Sequence, residues 1–176
     1  METLLHPPLV HFAIVLPMVA LVFQLTYSVS NNYIYSQWSS RILTVAALFM
    51  IAAWYTGGLQ GKDVYPLLTD EGQTLLKSHK QLGLYLMVIT IVLAIVKFIA
   101  CKARNVALET IVLIGLLVTS SLLAYQGLIG GDVVYKHGGG VENYSDGIEC
   151  LDDPSMFIDE EDEEEEEETE EDEKSK

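Results

Sequence analysis

Four stretches of this chain contain no Asp, Glu, Lys or Arg: Thr3–Ser40, Ile42–Gly61, Gln81–Val96 and Thr110–Gly131. A bilayer core takes about 20 apolar residues of helix at 1.5 Å rise each. The runs therefore predict membrane spans near Pro8–Ser28, Ile42–Gly61, Leu75–Cys101 and Val106–Gly130. A water-soluble core could conceal one such run, but four in succession leave too little polar surface to cover them. The expected fold is all-α, a polytopic membrane four-helix bundle over residues 1–140, followed by an acidic tail over 141–176.

The formal charge of −15 resides mostly in that tail, where Asp159–Glu173 is acidic at every position except Thr169. Like charges in a block repel and bury no apolar area, so the tail is expected to be disordered. No basic patch points to nucleic acid. Met1–Pro8 lacks the basic segment of a signal peptide, so the first span is expected to be retained. Arg41, Lys97, Lys102 and Arg104 flank two connections at one end of the spans, whereas Lys62, Lys77, Lys80 and Lys136 stand at the other. The positive-inside rule then predicts a cytoplasmic side for those connections and an outer side for both termini. Lys97 and Glu109 stand about equally far from Ala103, so a hairpin should pair them. Cys101 and Cys150 fall on opposite sides and cannot reach each other; neither has metal or covalent-haem spacing.

All four histidines lie beside the same end of the spans: His6 and His11 at the first, His79 at the third, His137 after the fourth. Imidazole is the commonest metal ligand among side chains and a regular haem ligand, and an ionisable group near a bundle interior is a functional hypothesis by default. Pro7 and Pro8 suit the first helical turn, which places His6 about at the N-cap. His11 follows five residues later, roughly 140° around the axis, so the two imidazoles face different partners. Pro17 removes one intrahelical bond and should kink the span.

A repeat is also visible. Tyr55, Gly57, Gly61, Val64 and Tyr65 match Tyr125, Gly127, Gly131, Val134 and Tyr135 at an offset of 70, which brings His11 close to His79. Two copies of a helical hairpin related by a pseudo-twofold axis along the membrane normal follow. Ala53, Gly57 and Gly61 form one small-residue stripe and Gly127 and Gly131 another, suited to close helix packing. Gly83, one turn from His79, would leave room for a flat cofactor.

Three motifs in order, His6-Pro7-Pro8-Leu9-Val10-His11-Phe12, the lone His79, and Gly130-Gly131-Asp132-Val133-Val134-Tyr135-Lys136-His137-Gly138, carry a family resemblance. The chain resembles, over about Leu5–Val141, a bacterial family of predicted four-helix membrane proteins of unknown function. The resemblance implies a bacterial cytoplasmic membrane. Some relatives look fused to Rieske or cytochrome c domains, which implies electron transfer as a component of a membrane oxidoreductase, with redox partner proteins at the outer face.

Three functions are open on these residues. The first is a redox protein holding haem b between helices, with His11 and His79 as the natural ligand pair and His6 and His137 as further ligands. The second is a transition-metal protein binding Cu, Zn or Fe through His6, His11, His79 and His137, with Asp132 adding a carboxylate. The third is a structural or assembly subunit whose histidines bond helix ends and lipid headgroups.

Overall fold

The computed structural model describes residues 5–139, all within one compact unit. The expected disorder of the tail, and Cys150 with it, lies outside those residues. Four helices run as α1 (His6–Ser30), α2 (Tyr33–Val64), α3 (Asp70–Ala103) and α4 (Val106–Tyr135), with one 3-10 turn at Tyr65–Leu67. Each helix is long and apolar enough to cross a membrane. They pack in the order α1–α2–α3–α4–α1, closing a ring.

Helix boundaries follow capping more than charge. α2 begins at Tyr33, well before Arg41, because the Asn32 side chain accepts the Ile34 N–H. The Arg41 guanidinium stays exposed and stacks over Trp38 at 5.2 Å, so its charge does not interrupt the helix. Thr69 likewise caps α3 by accepting from the Gly72 N–H, and Asp70 and Glu71 complement the positive end of the helix dipole. Pro17 lies buried inside α1.

The bundle is a repeat, but its offset is 73 and not 70. All four positions buried on α1, Ala13, Pro17, Ala20 and Gln24, map onto Leu86, Thr90, Leu93 and Lys97, all buried on α3. Ser36, Ser39, Leu43, Ala46, Ala47, Met50 and Ala53 of α2 map in the same way onto Glu109, Val112, Leu116, Thr119, Ser120, Leu123 and Gln126 of α4. Even the turns agree: Asn31 and Arg104 adopt left-handed φ of 53° and 49°, and Asn32 and Asn105 each cap the next helix. The offset of 70 followed equal letters at glycine-rich helix ends. A three-residue slip moves a residue about 4.5 Å along the axis and turns it about 60°, enough to bring the wrong glycines into correspondence.

At the end away from the histidines the expected ion pair is present. Lys97 Nζ meets Glu109 Oε2 at 2.5 Å, with side-chain exposures of 0% and 3%. Ser36 Oγ donates to Glu109 Oε1 at 2.7 Å, Lys97 donates to Ser36 Oγ at 2.9 Å, and Gln24 Nε2 donates to Glu109 Oε2 at 2.7 Å. The four residues are two pseudo-symmetric pairs, Gln24 with Lys97 and Ser36 with Glu109. Nearby, the Tyr33 hydroxyl donates to the carbonyl of buried Cys101, which forms no disulfide among the described residues.

Candidate functional site

The 73-residue offset equates His6 with His79, not His11 with His79. His6 and His79 lie on the same helical faces as the buried stripes of α1 and α3, each about two turns before Ala13 or Leu86. Each imidazole packs on a glycine of the next helix of its own hairpin: a Cβ on Gly57 would sit 2.6 Å from His6 Cε1, and one on Gly130 would sit 2.9 Å from His79 Cε1. The pseudo-twofold therefore sets two imidazoles at equivalent positions of α1 and α3, each backed by a glycine.

Their nitrogens are set up differently. The Thr56 hydroxyl donates to the Ala52 carbonyl at 2.9 Å, which leaves its oxygen to accept His6 Nδ1–H at 3.3 Å. That bond assigns the lone pair of His6 to Nε2, the arrangement that orients a ligating imidazole. Ile129 occupies the position equivalent to Thr56, and His79 Nδ1 is buried with no partner among the described residues. Gln126 supports His79 from behind, donating to its backbone carbonyl at 2.8 Å; a Cβ on Gly83 would come within 3.2 Å of the same amide.

The other two histidines stand apart. His11 is exposed, and its Nδ1 donates to the Pro7 carbonyl at 2.7 Å, so the expected convergence of His11 with His79 does not occur. The 140° between His6 and His11 is the reason, since only one of them can lie on the inner stripe. His137 packs over Gly72, 3.5 Å from Thr69 Oγ1. It lines a half-open cavity of about 300 Å³ with Glu71, Thr74, Leu75, Ser78, Asp132 and Lys136. Asp132 pairs with Lys136 at 3.0 Å and does not approach His6 or His79 as a fifth ligand. No group of three or more His, Cys, Asp or Glu side chains is placed to hold a metal among the described residues. The site built from all four histidines is therefore not assembled.

The expected packing glycines divide in the same way. Gly57 and Gly83 are in close contact, Ala53 is buried, and Gly127 meets Ile14 at an ordinary 3.5 Å. Gly61 faces open space and Gly131 meets only Tyr135 of its own helix, so neither serves helix packing. Gly130, missed in the sequence, carries the close approach instead. The regular spacing of His6, Ala13, Pro17, Ala20 and Gln24, repeated from His79 to Lys97, was the signal that could have found it.

No curated protein and no solved structure matches the chain. The family model described as predicted membrane protein (DUF2231) matches residues 3–143. With four apolar helices long enough to span a bilayer and a match over most of its length, the chain belongs to that family of membrane proteins.

Proposed function

We propose that this domain is a membrane electron carrier that holds haem b between its two hairpins through His6 and His79. The observation that carries the reading is the pseudo-symmetric imidazole pair on the inner stripes of α1 and α3. Bis-histidine ligation needs two imidazoles converging from opposite sides, and ligand sites in bundles are built from facing helices. The residues suit the group: Thr56 leaves Nε2 of His6 for ligation, His79 Nδ1 is buried with no partner among the described residues, and Gly57 and Gly130 leave room for the two rings. A bound haem would supply one-electron chemistry, while the chain orients the imidazoles and excludes water from around them.

The test is the absorption spectrum of detergent-purified protein. A low-spin haem spectrum is expected; His6→Ala and His79→Ala should each abolish it, whereas exposed His11→Ala should keep it. A colourless protein carrying one transition-metal ion per chain would replace haem by a metal held between the same two imidazoles, and absence of both would leave a structural role. Deleting Asp159–Lys176 removes most of the formal charge but no histidine or span, so the spectrum should survive it.

The same proposal places the protein in a bacterial cytoplasmic membrane with the imidazole face outward, towards redox partner proteins. Burial of Lys97 in its ion pair leaves Arg41, Lys102 and Arg104 against four lysines at the imidazole end, so charge alone does not set this orientation. Labelling decides the balance: with Cys101 buried, a membrane-impermeant maleimide added to intact cells should modify Cys150.

A further inference from the structure

The two hairpins share a fold but not an interior. At the buried positions where hairpin 1 carries Ala53, Ala46, Ala47 and Pro17, hairpin 2 carries Gln126, Thr119, Ser120 and Thr90. Polar groups inside a membrane bundle are costly unless bonded, and ionisable ones mark ion or proton routes. Gln126 Oε1, Thr119 Oγ1 and Ser120 Oγ are all buried with no bonding partner among the described residues. Simple packing would be served as well by the alanines that hairpin 1 uses.

We propose that the interior of hairpin 2 is a proton path from the His6–His79 end to the Lys97–Glu109 pair. Gln126 stands at the first end, bonded to the His79 carbonyl. Thr119 and Ser120 follow about 10 Å further along α4, and Thr90 faces the bundle from α3 about 10 Å from Lys97. Lys97 and Glu109 close the series near the opposite surface, with Ser36, Gln24 and the Tyr27 ring around them. Stations about 10 Å apart cannot exchange a proton directly, so water entering between them carries it, and each hydroxyl accepts one proton as it releases its own, leaving no bond or charge changed. Leu93, Val112 and Leu116 form an apolar collar between the hydroxyls and the ion pair, and its wetting sets the rate. The hydroxyls lie about 10 Å further along α4 than Gln126, which touches the His79 backbone, so flux and haem spectrum report on different residues.

The experiment uses purified full-length protein in potassium-loaded vesicles containing a pH-sensitive dye, with valinomycin setting the membrane potential. Wild-type vesicles should take up protons faster than protein-free vesicles. Thr119→Ala with Ser120→Ala, which installs the residues hairpin 1 carries at the equivalent positions, should abolish the protein-dependent flux. Thr119→Ser with Ser120→Thr keeps both hydroxyls and should retain it. Wild-type flux equal to that of protein-free vesicles, or undiminished flux in the double-alanine protein, would overturn the proposal. The haem reading stands or falls separately, on the spectrum.

Discussion

Glu109→Ala will lower the unfolding free energy by about 3–5 kcal/mol, the range found when one partner of a buried ion pair is removed. The loss is large because three donors converge on this carboxylate. Lys97 and Gln24 reach Oε2 and Ser36 reaches Oε1, so alanine leaves the Lys97 ammonium buried with no counter-charge and only the Ser36 hydroxyl as acceptor, while the Gln24 amide keeps the Glu109 backbone carbonyl. Breaking the pair is costly, but the pair itself need not stabilise, since the desolvation of two charges offsets much of their attraction. Pseudo-symmetry supplies the control. Lys97→Gln with Glu109→Ser gives hairpin 2 the residues that hairpin 1 already carries at Gln24 and Ser36, leaving no buried charge. That double variant should recover most of the loss in a denaturation series on detergent-solubilised protein. Equal losses in the single and double variants would show that charge burial is not the cause.

The spans, the ion pair and the existence of a duplication were legible in the sequence because each rests on a coarse property. Uncharged length defines a span, and equal distance from a turn defines a level. The imidazole pair depended on something finer. His11 stands out in the sequence beside Val10 and Phe12, but a residue's neighbours do not decide which way it faces; its angle from the buried stripe does. His6 shares the angle of Ala13, Pro17 and Gln24, and His11 does not. The register of the repeat failed for a related reason. Gly57 and Gly127 look equivalent as letters, while the buried polar positions that fix the true offset, Gln24 with Lys97 and Ser36 with Glu109, pair unlike residues. The start of α2 is set by the Asn32 cap, a single polar residue inside an uncharged run, and not by the first charge at Arg41.

Gly57→Leu and Gly130→Leu should displace the imidazoles as effectively as deleting them. A single added carbon at Gly57 would lie 2.6 Å from His6 Cε1 and 3.0 Å from both ring nitrogens; at Gly130 it would lie 2.9 Å from His79 Cε1. Real side chains do not tolerate such approaches, so the ring must leave the inner stripe, and overpacking of this kind costs about 1–3 kcal/mol. Gly58 is the internal control: it neighbours Gly57 on α2 but has nothing within 4 Å, so Gly58→Ala should gain about 0.5–1 kcal/mol from helix propensity alone. Thermal denaturation should thus separate two adjacent glycines by sign. If His6 and His79 ligate a haem, its low-spin spectrum should vanish in Gly57→Leu and Gly130→Leu and persist in Gly58→Ala. Retention of the spectrum in both leucine variants would mean that the imidazoles do not need the glycine faces, and the ligand pair would have to be sought elsewhere in the bundle.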